Sequence, residues 1–150
     1  MPEDDLLKPT ITETAVPTER PWRVDSLVYP AFFGGPIAVT FLSALNARRL
    51  GLDGRKVALI LAAGAASLTA QLLVIAFFLQ GTSSSGQRFS FTVAGLLVYL
   101  VAWFVQRRPF RIFMLRGGEP ANLWGPGIAT VIGSVILQFI LIAIVTSAVK

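Results

Sequence analysis

The stretch AFFGGPIAV, residues 31–39, sets two glycines and a proline, the residues least favourable to a helix, inside an uncharged run that extends from Ser26 to Ala47. In water such a triplet usually ends a helix. In hydrocarbon a freed backbone group finds no water to bond, so ending a helix costs more than bending it. The solvent around this segment therefore decides the fold.

The rest of the chain identifies that solvent. Of 150 residues, 54% are hydrophobic and 14% charged, whereas about a quarter of an ordinary soluble domain is charged. After Ser26 the charges fall only at Arg48 to Lys56, at Arg88, at Arg107 to Glu119 and at Lys150, leaving four uncharged stretches. A bilayer core of ~30 Å needs roughly 20 helical residues. Each stretch suffices for one crossing, which places spans at about 27–46, 57–79, 89–106 and 126–148. Helices are expected because open strands cannot satisfy their backbone in lipid, and the alternating pattern of a membrane barrel is missing. A soluble bundle would have to hide GSVILQFILIAIVTSAV (133–149) on every face, and the chain has too few polar helices to do so.

The expected fold is thus all-α, a polytopic membrane bundle of four transmembrane helices in two hairpins, the first helix kinked at Gly34-Gly35-Pro36. Pro36 leaves the carbonyl of Phe32 without its helical donor, and Gly34 and Gly35 let the chain flex or a neighbour approach. A re-entrant hairpin folded at the same triplet is the alternative. The kinked span is preferred because irregular backbone at membrane depth needs protein or water around it.

Orientation follows from arginine and lysine in the short loops. Loop 47–56 carries Arg48, Arg49, Arg55 and Lys56, and loop 107–122 carries Arg107, Arg108, Arg111 and Arg116, whereas GTSSSGQR (81–88) carries Arg88 alone. The two arginine-rich loops are expected on the cytoplasmic side, and four crossings then put both termini outside. Residues 1–26 form a polar tail whose Pro, Thr and Glu content predicts disorder, ahead of a membrane domain over 27–150. The tail has no apolar core or cleavage site of a signal peptide; its acidic excess favours translocation, and Arg20 and Arg23 oppose it.

A faint internal repeat supports two hairpins. GPIAVTFLSALNARR (35–49) lies beside GLLVYLVAWFVQRR (95–108), and at an offset of 67 Ala58, Ala62 and Ala66 fall on Gly125, Ala129 and Gly133, Ser67 on Ser134 and Gln71 on Gln138. Helices in lipid associate through close approach at small residues and through buried polar side chains. The stripes Ala58, Ala62, Ala66, Ala70 and Gly125, Ala129, Gly133 are therefore candidate packing faces. Gln71 and Gln138 are candidate clamps in the bundle or across a homo-oligomer contact, with a path-lining role as the alternative.

In PFRIFMLRGG, Phe110, Phe113 and Met114 share a helical face, which suggests a short interfacial helix whose Arg107, Arg108, Arg111 and Arg116 meet anionic lipid headgroups. Trp22, Trp103 and Trp124 suit the depth of the interface. Without cysteine or histidine, thiol nucleophiles and the usual zinc and haem ligands are excluded. No phosphate-cradling glycine loop occurs, and the four spans hold no charge, the feature that usually marks ion or proton work. No cofactor and no enzymatic activity are expected. Nucleic acid is rejected as a partner, because eight of the thirteen basic residues belong to the two loops and no basic domain with interleaved aromatics exists.

The element FFGGP (32–36), with Asn46 and Leu50-Gly51 after it, resembles the first span of small multi-span proteins of bacterial inner membranes whose function is uncharacterised. The resemblance covers some twenty residues and implies a location without an activity. The expected role is a non-catalytic accessory or scaffold protein in a homo-oligomer or larger membrane complex. A small oligomeric transporter or channel is the alternative.

Overall fold

A computed structural model describes residues 19–78 and 84–148. Regular structure among them is helical: α1 (Val28–Arg49), entered through a 3-10 turn at Val24–Leu27, then α2 (Gly54–Phe78), α3 (Ser84–Leu115) and α4 (Trp124–Ala148). By length and composition alone all four helices could cross a membrane, and the chain is an all-α, multi-pass membrane bundle. Helices α2 and α4 cover the expected second and fourth spans, with Leu79 outside the described residues.

The path of α1 departs from the expected kinked span. The break falls at Gly35, whose φ of 63° and ψ of −159° lie in a region essentially closed to residues with a Cβ. The chain does not bend there; it reverses. Had residues 22–46 run straight on, Trp22 and Asn46 would be about 36 Å apart at 1.5 Å per residue. Instead the Trp22 amide donates to Asn46 Oδ1 at 2.7 Å.

Contacts along α3 confirm the reversal level by level. Asp25 accepts from Trp103 Nε1 at 3.2 Å while Asn46 meets Gln106, three residues on. Ala31, Val39 and Val98 share one buried cluster. Gly35 lies against Phe91 and Gly95. The outgoing arm, 28–34, therefore runs antiparallel to the end of α3, and the returning arm, 36–49, runs parallel to it. The expectation of a kinked first crossing is corrected to a re-entrant hairpin, which leaves α2, α3 and α4 to cross. Along α3, Gly95 and Phe91 lie 11 and 15 residues from Gln106, so the tip reaches roughly 16 to 22 Å below the base. A core of ~30 Å is not traversed.

Protein supplies what the broken backbone lacks. Of the most apolar stretch of α1, 61% is buried inside the chain, against 11% for α4. The Gly34 carbonyl, orphaned by the turn, lies 3.0 Å from the Ser134 hydroxyl of α4, and that of Phe32 lies 3.5 Å from the Thr92 hydroxyl of α3. Pro36 opens the returning arm, where its missing N–H would have had no partner. Two carbonyls freed by the reversal thus face hydroxyls of neighbouring helices rather than lipid.

One consequence is a corrected topology. The Ala121 amide donates to Pro21 O at 2.9 Å, Arg20 pairs with Glu119 at 3.2 Å and Arg49 with Glu19 at 3.0 Å. Residues 19–23 thus share a face with both arginine-rich loops, rather than standing opposite them with the end of α4. Residues 19–26, assigned by composition to a disordered tail, are folded: Trp22, Val24 and Leu27 are buried, and only the part at 1–18 lies outside the described residues.

Hairpin α1 is the centre of the bundle and touches α2, α3 and α4, whereas α3 and α4 make no close approach. The outgoing arm lies between them. Helix α3 continues unbroken through Pro109 to Leu115. Its 32 residues, about 48 Å long, absorb the segment expected as a separate interfacial helix, so Arg107, Arg108 and Arg111 sit on its last turns.

Candidate functional site

Buried polar side chains gather at two levels of the hairpin. At its base, Asn46 accepts from Trp22 N and donates through Nδ2 to Trp22 O at 3.2 Å and to Gln106 Oε1 at 2.7 Å. Gln106 Nε2 in turn donates to Ser43 O at 2.9 Å. Asn46 and Gln106 are fully buried. The amides fasten the incoming chain, the returning arm and α3 at one point, and a guanidinium closes the site from above: Arg49 lies 4.0 Å over the Trp22 ring. Inside a protein, so complete a set of partners specifies one geometry.

At the tip the contacts are small and reciprocal. Ser67 of α2 donates to Ala94 O at 2.8 Å, next to Gly95; Ser134 of α4 serves Gly34 O, next to Gly35. These serines are the aligned pair of the internal repeat, and the acceptors precede its aligned glycines. Gly35 faces Gly95 and Asn46 faces Gln106 at one constant offset of 60. Each half of the chain therefore buttresses the backbone of the other, as parallel repeats about an axis along the membrane normal would. The symmetry ends at the two glycines. At Gly95 the helix runs on, and at Gly35 it turns back. A Cβ on Gly95 would run into the carbonyl of Ala31 and lie 2.9 Å from Gly35 Cα, so this crossing requires glycine.

Gln71 and Gln138, expected as hydrogen-bonded clamps, are 3% and 1% exposed, yet among the described residues neither finds a partner for either amide atom. A buried, unsatisfied amide costs about 1–3 kcal/mol. Gln138 borders a cavity of about 560 Å³ between the hairpin tip, the first turns of α3 and α4. Thr92, Gln87 and Arg88 supply its other polar groups, and Phe32, Phe33, Phe91 and Phe139 its walls. A second cavity, about 680 Å³, opens near the base between the outgoing arm and α4, bordered by Arg23, Tyr29 and Trp124.

The small-residue stripes do not serve as packing faces within this chain. Ala58, Ala62, Ala66, Ala70, Gly125, Ala129 and Gly133 are all exposed, and a Cβ on Gly125 or Gly133 would meet nothing within 4 Å. Internal close packing uses other glycines: Gly34 against Val131 and Ser134, Gly64 against Thr40, and Gly95. Arg107, Arg108, Arg111 and Arg116 are exposed on the base side, with Arg107 4.4 Å over the Trp103 ring. The Asn46–Gln106 pair escaped sequence reasoning as a site, although both occupy the polar position that precedes the paired arginines of the repeat.

Among the described residues no cluster of three carboxylates able to hold a metal occurs. Comparison with protein-family models, curated proteins and solved structures returns no match.

Proposed function

We propose that the protein is a non-catalytic accessory or scaffold subunit of the bacterial inner membrane, joined to a larger membrane complex or to its own copies through the stripes Ala58-Ala62-Ala66-Ala70 and Gly125-Ala129-Gly133. The observation that carries this reading is the division of labour among small residues. Gly34, Gly64 and Gly95 are consumed by internal packing, whereas the stripes on α2 and α4 are exposed on the outside of the bundle. Small residues let helix backbones approach closely, the main source of association where lipid removes the hydrophobic drive. On the base face ten basic side chains, now including Arg20 and Arg23, stand against the acids Glu19, Asp25, Asp53 and Glu119, which supports a cytoplasmic assignment. There Arg107, Arg108, Arg111 and Arg116 meet anionic headgroups.

Mild-detergent purification at native expression tests the scaffold. A stoichiometric partner is expected with the wild type and lost with Gly133→Ile, a substitution the isolated chain accommodates. Recovery of the bare monomer from the wild type overturns the reading.

A second reading, a small oligomeric transporter or channel, draws on the re-entrant hairpin and on Gln138 beside a cavity at membrane depth, since broken helices at that depth often line a path. Reconstituted flux that Gln138→Leu abolishes would favour it. Absent or unchanged flux argues against it.

A further inference from the structure

We propose that the cavity beyond the hairpin tip holds one anionic phospholipid of the leaflet opposite the base, its phosphate at Arg88 and its glycerol ester region at Gln138. Depth orders the lining. Arg88 precedes Gln106 by 18 residues on α3, about 27 Å of rise, which sets it at the far boundary of a ~30 Å core. Thr92 is one turn deeper. Gln138 follows Ser134, the residue that reaches the hairpin tip, by one turn of α4.

A cation at the boundary, an amide near it and aromatic walls below match the sequence of a phospholipid: phosphate, ester carbonyls, acyl chains. Charge agrees, because the lining contains one guanidinium and no carboxylate. Arg88 recognises phosphate as arginines commonly do. Shape agrees as well. Phe32, Phe33 and Phe139 are half-exposed or more, so the walls continue into the surface that acyl chains already cover.

Gln138 makes the cavity a site rather than a crevice. It is 1% exposed, with Nε2 and Oε1 both unpartnered among the described residues, and it borders the cavity. Lipid supplies no water to an amide at this depth. A helix of another chain is too broad to enter beside it, whereas an ester carbonyl on a slender glycerol accepts from Nε2 once the Gln138 side chain turns its sealed amide into the cavity it borders. Free phosphate would satisfy Arg88 and leave the phenylalanine walls without a role. The proposal stands apart from the headgroup contacts of Arg107 and Arg108, which lie on the opposite face.

Native mass spectrometry tests it on the full chain, reconstituted with phosphatidylglycerol in tenfold excess phosphatidylcholine and then extracted. One retained phosphatidylglycerol per chain is expected. Gln138→Met and Arg88→Gln should each lower its retention about tenfold, the loss of one good hydrogen bond or ion contact, and Arg107→Gln with Arg108→Gln should leave it unchanged. Arg88 is exposed, so its variant folds and carries the test even if Gln138→Met does not. Equal retention of phosphatidylcholine, retention sensitive to Arg107 and Arg108 but not to Arg88, displacement by inorganic phosphate alone, or no retained lipid would each overturn the proposal.

Discussion

Replacing Asn46 by leucine should release the base of the hairpin more than any other single polar change. The side chain makes three hydrogen bonds, and its loss orphans Trp22 N, Trp22 O and Gln106 Oε1. The two backbone groups of Trp22 cost at least about 1 kcal/mol each when buried without partners. The amide contact between returning arm and α3 adds roughly 0.6 kcal/mol, the average for such bonds in membrane proteins. Leucine gains nothing from lipid, because the position is fully enclosed. The expected loss is about 3 kcal/mol, or somewhat over a hundredfold in the closed-to-open ratio. Gln106→Leu breaks two bonds and leaves both Asn46–Trp22 bonds intact, so roughly half that loss is expected. Equilibrium unfolding in mixed micelles gives the stabilities, and thiol labelling of a cysteine at buried Val24 reports the opening itself. If Asn46→Leu costs less than Gln106→Leu, or if neither exposes position 24, the hairpin is not fastened at this point.

Further outcomes follow from the same geometry. Cysteines replacing Arg20 and Arg49, in a chain that has no other, should be joined by a short bifunctional thiol reagent, since the Arg49 guanidinium touches Arg20 O; a first helix that crossed the membrane would hold them on opposite sides and give no product. Gly95→Val should unfold the chain or open the hairpin by several kcal/mol, because the new methyls meet the backbone of Ala31 and Gly35, which cannot yield as a side chain does. Gly133→Val, facing open space, should leave monomer stability within about 0.5 kcal/mol of wild type in the same unfolding assay.

Much of this architecture was legible in the sequence, and the reasons for the rest are specific. Solvent, helical class and the position of the break follow from uncharged run lengths and from Gly34-Gly35-Pro36, because lipid permits few alternatives. The direction taken at the break depends on tertiary contacts. Composition shows that irregular backbone at depth needs a polar neighbour; it does not show that Ser134, a hundred residues away, supplies one. The tail misled for a related reason. Composition averaged over residues 1–26 hides the segment ERPWRVDS at 19–26, which has no threonine and carries the Trp22 that Asn46 fastens. The glutamines were found by alignment and the small stripes by spacing, but neither pattern says whether a partner lies inside the chain or beyond it. Among the described residues the structure places none inside.

Tip and base of the hairpin are secured in different ways, and the difference predicts where it opens. At the tip the donors to broken backbone are hydroxyls, Ser134 to Gly34 O and Thr92 to Phe32 O; withdrawing the tip would strand those carbonyls in a medium that offers no replacement. At the base, breaking Asn46 from Trp22 brings both groups toward water, which replaces the lost bonds and reduces the cost. The outer ion pair does little to prevent this, because Arg20 and Glu119 are 68% and 77% exposed and such pairs contribute about 0–1 kcal/mol. Opening should therefore begin at the base and fade before Gly35. Amide hydrogen exchange of the full chain in bilayers should be faster across residues 19–27 than across 36–44, with Asn46→Leu accelerating the first set and sparing the second. Equal acceleration of both would mean that the hairpin swings as a rigid unit about α1's return to Arg49, and that the base amides hold the whole element rather than its entrance.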